Sequence, residues 1–155
     1  MSAARRSIAR VALTGLMSVL ALGLGSMANA APAAAKDEPV KVVYHVSEGI
    51  DQATAALRNV RNHLSADPTA KIVVVTHANG IDFLLDGAKD KNGNLFDVNV
   101  HELVTMGVEF RVCKITLQRR NIDPKRVIDD ATLVPSGVAE VARLQAKEGF
   151  VYLKP

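Results

Sequence analysis

Cysteine is almost absent from this sequence: its 155 residues include a single one, Cys113, and no tryptophan. A lone cysteine excludes an internal disulfide, so this thiol serves either packing or reactivity. Aromatic residues amount to 4%, too few for the stacking platforms that bind nucleic acids. Basic residues outnumber acidic ones by 19 to 16, but three of them (Arg5, Arg6 and Arg10) lie in the first thirty residues. Beyond residue 30 the charges balance, and no nucleic-acid partner is predicted.

Long hydrophobic runs are also scarce. The longest, residues 11–24, is shorter than the roughly 20 residues needed to span a bilayer. It follows the arginines and precedes Ala28-Asn29-Ala30, the small-x-small pattern of a signal-peptidase site. This predicts a signal peptide over residues 1–30, cleaved near Ala30, and a periplasmic or secreted mature protein with no membrane segment. The alternatives are an uncleaved anchor and, from Arg5-Arg6, twin-arginine rather than general export.

The rest of the chain predicts one α/β domain. Residues 31–39, rich in alanine and proline, are expected to form a flexible lead-in. Across residues 40–155, β-branched runs alternate with segments of helical periodicity. Strands are expected at 40–46, 72–75, 108–112, 132–134 and 150–153. Such alternation predicts a three-layer α/β/α fold with a mostly parallel five-stranded sheet.

The expected helices lie between these strands. The first covers 50–64, a short one follows at 81–88, and another runs from about 95 to 106, with Asn94 as its N-cap and Gly107 as its stop. A short helix passes through Leu117 and Arg120, Pro124 begins a further turn, and the last helix extends from Ser136 to Gly149.

Several reactive side chains fall at the predicted carboxyl ends of strands, where ligands bind in open α/β sheets. His45 lies near the end of the first strand, His77 just past the second, and Cys113 at the end of the third. Asn79 and Gly80 form the turn after His77, where glycine allows close backbone approach to a ligand. His77 could pair with Cys113 as a Cys–His nucleophile, polarise a substrate, bind a metal, or be an ordinary hydrogen-bonded histidine.

The position of Cys113 before a predicted helix places its sulfur near backbone N–H groups, which favour the thiolate and lower the thiol pKa. The alternative is a buried, inert cysteine that packs as a small hydrophobic residue. Ser136 and Gly137 likewise offer N–H groups to an anion, although ordinary helix capping also explains Ser136. The candidate ligands come from separate loops without short-range spacing, so no metal or other cofactor is predicted.

Residues 107–122 (GVEFRVCKITLQRRNI) resemble the cysteine segment of the DsrE/DsrF-like sulfur-relay family, in which Gly-Val opens a strand that ends in cysteine. The likeness extends more loosely over residues 40–155, including Val-Pro-Ser-Gly-Val at 134–138. The resemblance implies a three-layer α/β/α fold with a parallel five-stranded sheet, assembled into trimers or hexamers. It also implies that Cys113 carries a persulfide sulfur between proteins.

Three functions remain open from the sequence. The first is an exported thiol-based persulfide carrier, a transfer protein rather than a turnover enzyme, that meets a sulfur donor or acceptor protein. The second is a module that binds a small ligand or a metal at the strand edge, with the cysteine incidental. The third is an oligomeric accessory protein without catalysis. Export separates this chain from the well-described relays of the family, which work in the reducing cytoplasm.

Overall fold

The computed structural model describes residues 38–155. The predicted signal peptide and residues 31–37 of the predicted lead-in lie outside this range. The strands are β1 (Lys41–Val46), β2 (Lys71–Thr76), β3 (Glu109–Cys113), β4 (Ala131–Val134) and β5 (Val151–Leu153). The helices are α1 (Ile50–Ala66), α2 (Phe96–Thr105), α3 (Lys114–Arg119) and α4 (Gly137–Glu148), with short 3₁₀ helices at Ala78–Leu84 and Pro124–Arg126.

The sheet confirms the predicted fold class. Its strand order is β4-β3-β2-β1-β5, and every neighbouring pair is parallel. The chain adds β2, β3 and β4 in one direction, and α4 then returns it across the sheet so that β5 pairs with β1. Parallel pairing requires these crossovers, which the helices provide.

The two faces of the sheet are covered unequally. One face packs against α1, α2 and the first 3₁₀ helix in the larger core, which includes Val42, Tyr44 and Phe110. The opposite face holds a smaller core, in which Val43, Val73 and Val75 of the sheet meet Val141 and Leu144 of α4. Successive strand residues point to opposite faces. The α4 face therefore also carries His45, two residues after Val43, and Arg111, which pairs with Val75 in the parallel register.

Two local predictions are wrong in detail. The helix expected at 81–88 is instead the 3₁₀ helix Ala78–Leu84, which begins directly after β2 and closes through the i→i+3 bond from Leu85 N–H to Asp82 O. Asn94 does not cap α2; Leu95 holds that position, because the Asn94 side chain hydrogen-bonds to Asp90 within the preceding loop.

The other helix boundaries follow their predicted signals. The Ser136 hydroxyl accepts the Ala139 N–H at the start of α4, and Gly149 ends that helix with a φ of 75°. Gly107 follows α2 with a φ of 90°, the left-handed conformation that glycine adopts without a steric penalty. Within residues 38–155, no helix is long and apolar enough to cross a membrane.

Candidate functional site

Cys113 is the last residue of β3 and the N-cap of α3, as its sequence position predicts. It is 4% exposed, so the thiol lies beneath the surface. Burial raises the pKa of the thiol. Hydrogen bonding from the Thr116 hydroxyl and from the N–H groups of Gly137, Thr116 and Ile115 lowers this pKa by a larger amount. The net result is a pKa below the ordinary cysteine value. Lowering by N–H groups is typical of reactive rather than inert cysteines.

A lowered pKa means that these donors favour the ionised sulfur over the neutral thiol. By ordinary hydrogen-bond geometry, Cys113 makes no side-chain capping bond to α3. A thiolate is a stronger acceptor than a thiol, because charge on the acceptor shortens and strengthens a hydrogen bond. The surroundings of Cys113 therefore favour the form of the side chain that acts as a nucleophile.

Thr116 links the thiol to the end of β2. Its hydroxyl oxygen accepts the N–H of Ala78 at 3.0 Å, which leaves its own proton free to be donated to the sulfur of Cys113. Ala78 has a φ of 49°, in the left-handed region that is unfavourable for alanine. Its carbonyl oxygen accepts the Arg120 guanidinium at 3.1 Å. Contacts on both sides thus hold Ala78 in the conformation that aims its N–H at Thr116.

Gly137, the first residue of α4, packs directly against the ends of β2 and β3. A Cβ atom built on Gly137 would lie 2.8 Å from the carbonyl oxygen of Thr76, closer than real Cβ atoms come. It would also lie 3.1 Å from the Cβ atom of His77 and 3.3 Å from that of Cys113. Glycine therefore permits the start of α4 to approach the thiol, and both His77 and Cys113 lie next to this residue.

The two predicted histidines stack on the α4 face of the sheet. The ring centroids of His45 and His77 are 4.8 Å apart, and His45 Nδ1 shares a hydrogen bond of 2.9 Å with the Tyr152 hydroxyl of β5. Burial lowers the pKa of both rings, and the neighbouring charges of His77 and Lys154 lower that of His45 further. Both shifts favour the neutral rings over the charged ones.

His77 and Cys113 both lie next to Gly137, but His77 is not among the main groups that lower the thiol pKa. The structure therefore ties the favoured thiolate to backbone N–H groups and a threonine hydroxyl rather than to a Cys–His ion pair. A role for His77 in polarising a substrate remains a prediction. Within residues 38–155, no three His, Cys, Asp or Glu side chains are arranged to hold a metal ion.

The remaining predicted residues take different positions. Asn79 is exposed beside His77. Gly80 is buried, and a Cβ atom there would lie 2.2 Å from the carbonyl oxygen of Val46. The close approach that this glycine permits is therefore to strand β1, and ligand binding by Asn79 and Gly80 remains a prediction. Ser136 caps α4, which places the N–H of Gly137 against Cys113.

Sequence reasoning missed Thr116, Tyr152 and the ion pair between Arg111 and Glu140 that joins β3 to α4. A signal existed for Thr116, since the third residue of a helix is where a polar side chain reaches back to the N-cap. No local signal could identify Tyr152 or Glu140, because each contacts a residue far away in the chain.

Comparison with known proteins agrees with the fold. The family model of the DsrE/DsrF-like family matches residues 26–155. The chain is similar to the protein of unknown function MTH1491 from Methanobacterium thermoautotrophicum, with 28% identity and a TM-score of 0.66 over 75% of this chain and 99% of that one.

The fold is also that of the YchN protein from E. coli, with 16% identity and a TM-score of 0.63 over the same shares of the two chains. A comparison with curated proteins finds no match. The family model covers the whole described domain, including the strand that ends in Cys113 and the helix start that faces it. The chain therefore belongs to the DsrE/DsrF-like family.

Proposed function

We propose that this protein is an exported sulfur carrier in which Cys113 accepts a sulfane sulfur as a persulfide and passes it to another thiol. The observation that carries the proposal is the set of donors around the sulfur, which come from Thr116, Ile115 and Gly137 and lower the thiol pKa. The association of the family with sulfur relay supports the same chemistry.

The transfer is a thiol exchange that balances without an external oxidant. The thiolate of Cys113 attacks the outer sulfur of a donor persulfide, R–S–SH. The new S–S bond forms at Cys113 as the S–S bond of the donor breaks, and the donor leaves as the thiolate R–S⁻ with the bonding electron pair. Attack by an acceptor thiolate on the outer sulfur of the Cys113 persulfide then restores the starting thiolate.

The burial of Cys113 limits the size of the sulfur donors that can reach it. Because Cys113 is 4% exposed, small inorganic polysulfides should reach its sulfur more readily than bulky reagents. We therefore expect rapid reaction with polysulfide and slow reaction with a large maleimide. An inert structural cysteine would react slowly with both.

Mass spectrometry of the intact mature protein after polysulfide treatment tests the proposal. The wild type should gain one sulfur, about 32 Da, that dithiothreitol removes. The Cys113→Ser variant has no thiol and serves as the matched control. A wild type without the adduct, or an equal adduct on Cys113→Ser, would contradict the proposal.

Export and assembly belong to the same proposal. We infer that residues 1–30 direct export and are removed, and that the mature chain forms the trimer or hexamer that the resemblance implies. Exposed apolar side chains of Val138, Val151 and Leu153 support self-association, since they lie at the start of α4 and along the edge strand β5. N-terminal sequencing of periplasmic protein should give Ala31, and light scattering should give the mass of three or six chains. Retention of Met1 or a monomeric mass would contradict these inferences.

A further inference from the structure

The first residue of α4, Gly137, lies very close to Cys113 and to the end of β2. A Cβ atom on Gly137 would lie 3.3 Å from that of Cys113 and 2.8 Å from the carbonyl oxygen of Thr76, so the helix start already sits as close as glycine allows. Hydrogen bonds weaken steeply when their length or angle departs from the optimum. A shift of α4 by a few tenths of an ångström along or away from the sheet would therefore weaken the Gly137 donor.

A largely buried ion pair joins α4 to β3 one helical turn beyond Gly137. The side chains of Glu140 and Arg111 are 10% and 16% exposed, and their carboxylate and guanidinium groups are in direct contact. Arg111 precedes Cys113 by two residues and so lies on the same face of β3. Glu140 follows Gly137 by three residues and lies on the same side of α4. The ion pair thus spans the same two elements as the contact between Gly137 and Cys113.

The other contacts of α4 with the sheet are less directional. Val141 and Leu144 pack among the valines of β1 and β2, and apolar burial does not by itself fix a helix along its axis. An ion pair between a carboxylate and an arginine fork does impose a geometry. Buried ion pairs contribute little net stability, because desolvation offsets most of their attraction. A contribution to stability is therefore a weak explanation for the burial of the Glu140 carboxylate.

Both partners are held in their charged forms. Glu140 also accepts the Arg143 guanidinium at 2.8 Å from the next turn of α4, and Arg111 also donates to Glu109 at 2.6 Å on its own strand. Hydrogen bonding from Arg143 lowers the pKa of Glu140 despite burial, and Arg111 lowers it further. The ion pair therefore persists across the pH range in which a thiol titrates.

We propose that Glu140, through its ion pair with Arg111, is a positioning residue that holds the first turn of α4 where the Gly137 N–H faces the sulfur of Cys113. This inference rests on the proposed function of the thiol and deepens it, because it assigns a role to a residue that does not itself touch the sulfur. It also accounts for the placement of a charged pair between β3 and the helix whose start faces the thiol.

The sign of the response to Glu140→Gln separates positioning from a direct charge effect. Loss of a negative charge near the thiol favours the thiolate through space, so a direct effect alone would lower the thiol pKa. Loss of positioning weakens the Gly137 donor and raises the thiol pKa. The measurement is the rate of iodoacetamide alkylation of Cys113 against pH. For positioning, we expect the profile to move to higher pH by up to about one unit, which slows the reaction at pH 6 by about three- to tenfold.

Two further variants complete the test. Arg111→Lys keeps the positive charge but loses the planar fork, so its profile should move in the same direction by a smaller amount. Glu148→Gln is the matched control, because it removes a negative charge from α4 but leaves the contact with Arg111 in place; its profile should coincide with that of the wild type. Arg111→Lys also decides the question if Glu140→Gln does not fold.

The inference is overturned if the alkylation profile of Glu140→Gln coincides with that of the wild type or moves to lower pH. If Glu140→Gln does not fold, the inference is overturned by an Arg111→Lys variant whose profile is unchanged. Polysulfide loading of the wild type, read separately by mass, distinguishes this failure from that of the proposed function. A wild type that takes up no sulfur while Glu140→Gln shifts the profile upward would refute sulfur carriage and retain the positioning role.

Discussion

The Gly137→Ala substitution tests the contact on which the candidate site depends. The added methyl group would lie 2.8 Å from the carbonyl oxygen of Thr76. Ordinary contact begins at 3.4 Å, so α4 would have to move by about 0.6 Å at this end, by the difference of the two distances. The backbone oxygen belongs to the central strand β2 and cannot retreat. The start of the helix must therefore move away from Cys113.

The expected cost follows from two opposing effects. Overpacking of this kind destabilises a protein by about 1–3 kcal/mol. Alanine is a better helix former than glycine, which offsets up to about 1 kcal/mol. We expect a net loss of up to about 2 kcal/mol in the free energy of unfolding, measured by urea denaturation. The thiol pKa of Cys113 should also rise, because its Gly137 donor moves away.

Gly49→Ala is the matched control for this prediction. Gly49 precedes α1 with an ordinary φ of −72°, and a Cβ atom there would meet nothing within 4 Å. The same methyl group should leave the alkylation profile of Cys113 unchanged and cost at most about 1 kcal/mol through N-cap preference. Equal stability and an unchanged alkylation profile for Gly137→Ala would show that the start of α4 has room for a methyl group and would refute this prediction.

Two further predictions concern the thiol and the histidines. Thr116→Val removes the hydroxyl donor and should raise the Cys113 pKa by up to about one unit, measured by alkylation against pH. Thr116→Ser keeps the hydroxyl and should retain most of the wild-type profile. A valine variant with an unshifted profile would contradict the role of Thr116 as a donor to the sulfur. Burial lowers the pKa values of His45 and His77 in the folded chain, so protons bind more tightly to the unfolded chain. Stability should therefore fall as pH drops below about 6.5, the unfolded value. Urea midpoints that stay constant between pH 8 and pH 5.5 would show that folding does not depress these pKa values.

The sequence predicted the features that depend on neighbouring residues. Alternating hydrophobic periods placed all five strands, because side-chain burial repeats every two residues in a strand and every three to four in a helix. Ser136 and Gly149 marked the ends of α4 through capping chemistry that is itself local. The position of Cys113 between a strand and a helix predicted the direction of its pKa shift for the same reason.

The predictions were less accurate where a contact outside the helical pattern outweighed that pattern. The segment after β2 has an apolar pattern compatible with an α-helix, but Gly80 packs so tightly against β1 that the chain turns directly into a 3₁₀ helix. Asn94 is a good N-cap residue by type, yet Asp90 accepts its amide within the loop. In both places a contact outside the helical pattern determined the outcome.

The sequence by itself determined the strand and helix content, the fold class and the family, because these follow from local periodicity and from the segment that ends in Cys113. Only the tertiary structure decided what surrounds the sulfur. Gly137 reaches Cys113 because α4 crosses the sheet between β4 and β5, and Glu140 meets Arg111 for the same reason. These contacts join residues more than twenty positions apart, and packing between elements, rather than the preference of either segment, sets their distance.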